Sequence, residues 1–296
     1  MKQTTIRIGS RDSQLAIKQA HIVMERIRQV KPELTLELIT MKTTGDRILD
    51  RRLDQIGGKG LFVKELDQAL REGRIDLSVH SLKDMPMDVP EDLPLCAFME
   101  REDPRDILIC RDGVTSESLL DGGVIGSSSQ RRIMQLRTLY PNCEFKSIRG
   151  NVQTRLRKLQ EENFSATVLA LAGIRRLEME DVIDRYFTTE EILPAAGQGI
   201  IAVQGRKGEW TELMQLISSR KAEIAALCER SFVRALDGGC SSPIAAYAEI
   251  TGEEIVLSGM YASIEENVIR KGSIKGHVNE AEKLGVELAY QLKGQS

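Results

Sequence analysis

Three kinds of side chain in this sequence could do chemistry together: cations and hydroxyls at strand ends, a carboxylate among them, and a cysteine in a glycine-rich segment. The first set recurs in Gly9-Ser10-Arg11-Asp12-Ser13, Ser81-Leu82-Lys83-Asp84, Ser127 to Arg132, Arg149-Gly150-Asn151 with Arg155, and Arg175-Arg176. Each stretch follows a β-branched or apolar run and sits at or near the start of a helical pattern. Helix N-termini there offer free N–H groups and a positive dipole end. Serine hydroxyls such as Ser13, Ser81 and Ser129 add donors, and arginine adds planar forks suited to carboxylates or phosphates. One such loop alone is an ordinary surface turn. Together they describe a crevice for a ligand with several negative groups. Neither a P-loop nor a dinucleotide glycine fingerprint is present, which favours carboxylates over phosphates.

Asp84 is, with Asp12, the only acid in these loops. A carboxyl among Arg and Lys is pushed down in pKa and stays ionised. It would suit stabilising a developing cation or accepting an N–H from a heteroaromatic ligand; the plainer reading is a salt-bridge partner of Lys83. Cys240 follows Gly238-Gly239 and precedes Ser241-Ser242-Pro243, a segment with no core pattern. It is a candidate nucleophile or covalent attachment point, or an idle exposed thiol. Because the preceding helix presents its negative dipole end there, any activation must come from nearby cations. Gly57-Gly58-Lys59-Gly60 reads as a lid hinge able to swing Lys59 over the crevice, or as a plain surface loop. Cys96, Cys110, Cys143 and Cys228 read as small core residues. With His21, His80 and His277 scattered and no C-x-x-C, no metal site or disulfide framework is expected.

The elements that must position these groups alternate. Thr5 to Ile8 reads as a strand followed by a helix to about Arg28. Leu34 to Thr40 is a strand, Leu61 to Arg71 a helix ended by Gly73, and Ile75 to His80 a strand. Gly123 to Gly126, Cys143 to Ile148 and Thr167 to Leu171 are further strands. Such alternation predicts α/β units with mostly parallel sheets, whose ligands bind outside the carboxyl ends of the strands. After about residue 218 the pattern changes. Ile224, Leu227, Cys228, Phe232, Val233 and Leu236 share one helical face, and Gly238 stands where a C-cap belongs. Strands over Ile244 to Glu249, Ile255 to Ala262 and Asn267 to Ile274 follow. A closing helix carries Ala281, Leu284, Leu288 and Leu292 on one side, completing a small α+β unit.

Composition bounds the function. The chain has 296 residues, 41% hydrophobic and 29% charged, with 41 Lys plus Arg against 44 Asp plus Glu. That near-balance and 4% aromatic content argue against a dedicated nucleic-acid binder. The charge is nevertheless lopsided. Arg131 to Arg176 holds eight Arg, two Lys and three Glu, or +7, which leaves -10 elsewhere from the total of -3. No apolar run approaches the roughly 20 residues of a membrane span. The start lacks a secretory h-region, so a cytoplasmic location is expected.

These segments resemble the porphobilinogen deaminase family. The resemblance rests on Val79-His80-Ser81-Leu82-Lys83-Asp84-Met85-Pro86, Gly126-Ser127-Ser128-Ser129-Gln130-Arg131-Arg132 and Arg149-Gly150-Asn151-Val152-Gln153-Thr154-Arg155-Leu156. Leu193-Pro194-Ala195-Ala196-Gly197-Gln198-Gly199 and Glu229-Arg230 through Gly239-Cys240 complete it. It implies two periplasmic-binding-protein-like α/β domains, 1–99 with 200–217 and 100–199, and an α+β domain over 218–296. It also implies a dipyrromethane cofactor joined by a thioether to Cys240. Four porphobilinogens would be deaminated and added head to tail to that primer, and a linear tetrapyrrole released for porphyrin biosynthesis. Asp84 would hydrogen-bond pyrrole nitrogens and stabilise positive charge on them. Lys83, Ser13, Ser81, Ser129, Arg131, Arg132 and Arg155 would hold the cofactor, and Arg11, Arg149, Arg176, Gln198 and Lys59 the incoming substrate. The resemblance further implies a monomer with neither nucleic-acid nor membrane partner.

The sequence departs from the common family pattern at Ser241-Ser242, where many members have Gln-Val, at Ala245, a usual Gly position, and at Gln130, a common Leu. The competing functional reading is a receptor-like protein that clamps an anion without catalysis; Cys240 and the third unit are what such a receptor would not need.

Overall fold

The computed structural model describes residues 5–47, 63–238, 243–263 and 268–294. The first unit contains β1 (Thr5–Arg11), α1 (Gln14–Val30), β2 (Thr35–Met41), α2 (Thr44–Arg47), α3 (Lys64–Arg71), β3 (Leu77–Ser81) and β4 (Leu95–Phe98). The chain then crosses to a second unit. There it forms β5 (Asp106–Cys110), β6 (Gly123–Gly126), α4 (Gln130–Leu139), β7 (Cys143–Lys146), α5 (Val152–Glu161), β8 (Ala166–Ala170), α6 (Leu171–Arg176) and β9 (Arg185–Tyr186). It returns to the first unit as β10 (Ile201–Gly205) and α7 (Thr211–Ile217). The third unit holds α8 (Arg220–Ala235), β11 (Ile244–Thr251), β12 (Glu254–Ser263), β13 (Val268–His277) and α9 (Ala281–Lys293).

Local sequence explains the helix starts. The side chains of Ser13, Ser129, Asn151 and Ser219 each accept from a backbone N–H three residues on, satisfying a donor that the first turn leaves unpaired. On α1 the residues Ala16, Ala20, Val23, Met24 and Ile27 recur at helical spacing and are buried. Ala20, Val23, Met24 and Ile27 pack on Ile6, Ile8, Leu77 and Val203 of the first sheet.

The two five-stranded sheets share one order, β2-β1-β3-β10-β4 and β7-β6-β8-β5-β9. In each, three parallel strands from one unit are joined by an antiparallel strand that arrives by a crossing between units. The expectation of mostly parallel sheets holds for four of the five strands in each; β10 in the first and β5 in the second run against the rest. The crossing strands β5 and β10 and the short edges β4 and β9 carry no helix-alternating signature. This topology has a consequence for the cleft. Because β5 runs against β8, Asp106 at its start pairs with Ala170 at the end of β8, and so lies at the carboxyl edge.

The third unit is an antiparallel sheet, β11-β12-β13, under α8 and α9. Its attachment centres on Glu229, which is fully buried. Glu229 receives two bonds from Arg101 (2.7 and 2.8 Å) and one each from the N–H groups of Gly197 and Ala248 (2.7 Å). Arg101 and Gly197 belong to the outgoing and returning crossings. Next to Glu229, Arg230 donates to the carbonyls of Pro86 (2.6 Å) and Met87 (2.9 Å), just beyond Asp84.

Two details of α8 differ from the pattern reading. Leu227 is 46% exposed rather than on the buried face. The left-handed residue ending the helix is Asp237 (φ 54), not Gly238. Bonds from Asp237 N to Arg234 O and Gly238 N to Val233 O complete a Schellman turn. A Cβ at Gly238 would press on Ile244 Cδ1, the movable end of a side chain, and come within 3.1 Å of Val233 O.

Candidate active-site cleft

The carboxyl edges of the two α/β sheets meet across a cleft. At its rim the side chains of Gln14, just after Ser13, and Gln153, at the start of α5, are hydrogen-bonded (2.7 Å). On the first unit's side, Arg11 ends β1, Ser13 caps α1, and Ser81 ends β3, its hydroxyl paired with Gln19 of α1. The chain then turns through a short 3-10 segment, Leu82–Asp84, which presents the half-buried Lys83 and Asp84. Leu82 beneath them is fully buried and anchors the turn.

On the second unit's side, Ser129 caps α4, and Arg131 and Arg132 lie in its first turn, both buried. Arg131 donates to Leu193 O (2.7 Å) and Asp106 (2.8 Å), and Arg132 to Val168 O (3.0 Å) and Asp106 (2.8 Å). Arg132 Nε is buried and makes no hydrogen bond. Arg149 is buried just before α5, and Arg155 donates from Nε to Gly150 O (2.9 Å). Arg176 donates to Gly199 O (2.6 Å), tying α6 to the returning crossing. Gln198, also on that crossing, donates to Asp106 (2.8 Å) and Pro104 O (2.6 Å), and Lys83 Nζ approaches its carbonyl at 3.5 Å.

Electrostatics follow from this gathering of cations out of water. Burial lowers Lys83 to about 8; Asp84 and Asp106 resist that shift, while Arg132 and Arg131 add to it. Burial also lowers Arg155 to about 10, with Arg132 and Arg149 adding repulsion and Asp84 opposing. Arg176 falls to about 10 through burial, opposed by Glu102. All three still carry charge at neutral pH. Burial pushes the Asp106 carboxyl up, but Arg131 and Arg132 outweigh it and hold Asp106 well below the usual carboxylate range. His80 bonds the Ser78 hydroxyl (2.8 Å), and burial lowers it to about 4, which leaves a neutral imidazole behind the turn.

The structure thus brings together Asp84, Lys83, Gln198, Arg131, Arg132, Arg149 and Arg155, with Arg11, Ser13, Ser81, Ser129 and Arg176 at the bordering strand and helix ends. Arg175 is not among them: it faces Glu102, Asp103 and Glu180. It and Arg176 end the six-residue α6 rather than start a helix. Cys240 and Lys59 lie outside the described residues. Asp106 is the residue that sequence reading missed. Its signal was faint, a charged residue opening a short apolar run after Asp103-Pro104-Arg105. Among the described residues no group of His, Cys, Asp and Glu could hold a metal, and no helix is long and apolar enough to cross a membrane.

Comparison with known proteins places this arrangement. The family model for the dipyrromethane cofactor-binding domain of porphobilinogen deaminase matches residues 6–213, and that for the family's C-terminal domain matches 223–294. The porphobilinogen deaminase of Ruminiclostridium josui is 54% identical over 288 residues, covering 97% of each chain. That of Alkaliphilus oremlandii is 51% identical over 290 residues, covering 98% of this chain and 97% of its own. Among solved structures, the periplasmic VFT2 domain of Bordetella pertussis BvgS overlaps 75% of this chain and 90% of its own, at 15% identity and a TM-score of 0.43. The periplasmic aliphatic sulphonate binding protein SsuA of Escherichia coli overlaps 79% and 70%, at 14% identity and a TM-score of 0.41.

Proposed function

This chain belongs to the porphobilinogen deaminase family, and on that premise we propose which of its residues carry the reaction. The enzyme is a transferase of porphyrin biosynthesis: it joins four porphobilinogens head to tail on a dipyrromethane primer and releases ammonia and hydroxymethylbilane. The observation that carries the residue assignment is a half-buried carboxylate, Asp84, set beside Lys83 and electrostatically coupled to Arg155, with the buried and unmatched Nε of Arg132 in the same cluster.

The residues present fit a polycarboxylate cofactor. A buried donor without a partner costs free energy that a carboxylate ligand recovers, and Arg132 Nε is such a donor. Lys83, Ser13, Ser81, Ser129, Arg131, Arg132 and Arg155 would hold the acetate and propionate chains, with Cys240 as the thioether anchor. When bound, the dipyrromethane supplies the nucleophilic pyrrole carbon to which substrate units are joined.

Asp84 accepts N–H bonds from pyrrole nitrogens. It stabilises the positive charge that develops on the incoming ring as the amino group of its aminomethyl substituent departs as ammonia, leaving the methylene carbon on the ring to form the new bond. A fixed carboxylate in a site partly closed to water does this without reorganising. Arg11, Arg149, Arg176 and Lys59 orient the incoming substrate through its carboxylates, whereas Gln198, buried and with its amide donors on Pro104 O and Asp106, acts through Lys83 rather than on the substrate itself. Arg131 and Arg132 are each held by protein acceptors at both Nη atoms, so they form a rigid positive wall from which Arg132 offers its unmatched Nε. We read the three units as domains over 1–99 with 200–217, 100–199 and 218–296, acting as a monomer in the cytoplasm.

The test is stoichiometric. Purified enzyme given porphobilinogen should release one linear tetrapyrrole and four ammonia for every four substrates consumed. Binding of porphobilinogen without ammonia release would instead support an anion-clamping receptor.

A further inference from the structure

Asp106 is fully buried and accepts three hydrogen bonds, from Arg131 Nη2, Arg132 Nη2 and Gln198 Nε2, each 2.8 Å long. Its three partners come from two parts of the chain. Arg131 and Arg132 open α4 of the second unit, and Gln198 lies on the crossing that returns to the first. Through the Gln198 carbonyl the chain of contacts continues to Lys83 Nζ (3.5 Å) on the first unit's turn. Asp106 itself opens β5, directly after the outgoing crossing. We propose that Asp106 is a positioning residue of the reaction: it fixes the Arg132 guanidinium and, through Gln198, the Lys83 ammonium against the carboxylate chains of the bound oligopyrrole. The proposal rests on the reading of Arg132 and Lys83 as carboxylate binders.

A guanidinium is planar, so two fixed arms set the direction of the third donor. Arg132 is held at Nη1 by Val168 O (3.0 Å) and at Nη2 by Asp106 (2.8 Å), which leaves the buried Nε as the directed, unmatched donor. Lys83 has the opposite problem. Its ammonium is a point charge on a flexible stem, and its placement depends on what surrounds it. Asp84 on its own turn and Asp106 on β5 favour its charged form; Arg131 and Arg132 on α4 and burial disfavour it. Without the Asp106 charge, Lys83 faces the two adjacent arginines with less negative charge beside it, Asp84 remaining. Lys83 then gives up its proton at lower pH, and its grip on a carboxylate goes with it.

A residue that merely neutralised Arg131 and Arg132 would affect stability alone. The two roles separate in the full-length Asp106→Asn variant, followed by intact mass for cofactor loading, by thermal melting, and by KM and kcat between about pH 6 and pH 9. The expected result is a lower loaded fraction. In the loaded molecules KM should rise about tenfold at pH 8 with kcat within about twofold, the pattern of lost binding rather than lost chemistry. The pH at which KM climbs should also move down by about one unit. A lower melting temperature with unchanged loading, KM and pH midpoint would overturn the proposal.

If Asp106→Asn does not fold, Gln198→Met decides, because it cuts the link to Lys83 without stranding a buried charge. A KM rise of about threefold supports the proposal, and an unchanged KM and pH midpoint overturn it. Lys83→Met run in parallel separates the two layers of the argument. Should it leave loading and KM unchanged, the carboxylate-binder reading fails and the proposal falls with it. A defective Lys83→Met beside a silent Asp106→Asn removes Asp106 alone.

Discussion

Replacing Glu229 by glutamine tests how the third unit is held to the hinge between the other two. Each Glu229 oxygen accepts one bond from Arg101 and one from a backbone N–H, of Ala248 at Oε1 and Gly197 at Oε2, all between 2.7 and 2.8 Å. Glutamine keeps one accepting oxygen but turns the other into a donor. Whichever way the amide points, one Arg101 bond and one backbone bond become donor–donor conflicts, and Arg101 loses its countercharge. Two charge-assisted bonds at about 1.5–3 kcal/mol each amount to roughly 3–6 kcal/mol. Breaking a buried pair from one side costs about 3–5 kcal/mol, which agrees. At about 2–4 °C per kcal/mol for a chain somewhat shorter than this, the melting temperature should fall by roughly 10 °C. The assay is thermal unfolding of the cofactor-loaded protein, with Arg101→Gln and the double variant alongside. If the pair acts as a unit, the double variant should be less destabilised than the sum of the singles. A fall below about 2 °C, or simple additivity, would refute the view that this carboxylate clamps the third unit to both crossings.

Other consequences follow from the same geometry. Asp84→Asn should keep its cofactor mass yet lose turnover by about two to three orders of magnitude, measured as tetrapyrrole released per loaded enzyme; near-normal turnover removes Asp84 from its role. Because the charged form of Lys83 persists only below about 8, porphobilinogen affinity should weaken as pH rises through that value, and a KM flat from about pH 7 to pH 9 would contradict it. Gly199 has φ +88, and a Cβ there would overlap Glu102 O, a backbone atom that cannot swing away. Gly199→Ala should therefore cost more than the roughly 1–2 kcal/mol of the left-handed conformation alone, read by urea denaturation, and should disturb the Arg176 bond to its carbonyl.

Much of this site was legible in the sequence because its parts are local. An apolar strand, a capping Ser or Asn and an Arg within a turn can be read from a dozen consecutive residues, as at Ser129 to Arg132 and Asn151 to Arg155. The direction of β5 and β10 could not be read that way. Asp-Ile-Leu-Ile-Cys and Ile-Ala-Val-Gln-Gly are short apolar runs whose orientation depends on how the chain crosses between units. β5 was not read from the sequence, and Asp106 went unseen with it, since its partners Arg131, Arg132 and Gln198 lie 25, 26 and 92 residues away. The same distance hid Glu229. Its neighbours on α8 read as a core face, and nothing local shows that the carboxylate reaches across to Arg101. The exposed Leu227 and the left-handed Asp237 are smaller cases, in which three-dimensional packing overrode a pattern that fits an isolated helix.

The central claim is that the cleft serves a polycarboxylate chain tethered to Cys240. Intact-mass measurement of the purified enzyme, followed by peptide mapping, tests it most directly. The predicted result is an added mass of two porphobilinogens less two ammonia, located on the peptide containing Cys240 and absent from the Cys240→Ala variant. Enzyme that turns over porphobilinogen while showing the bare polypeptide mass, or an adduct on another cysteine, would contradict the account.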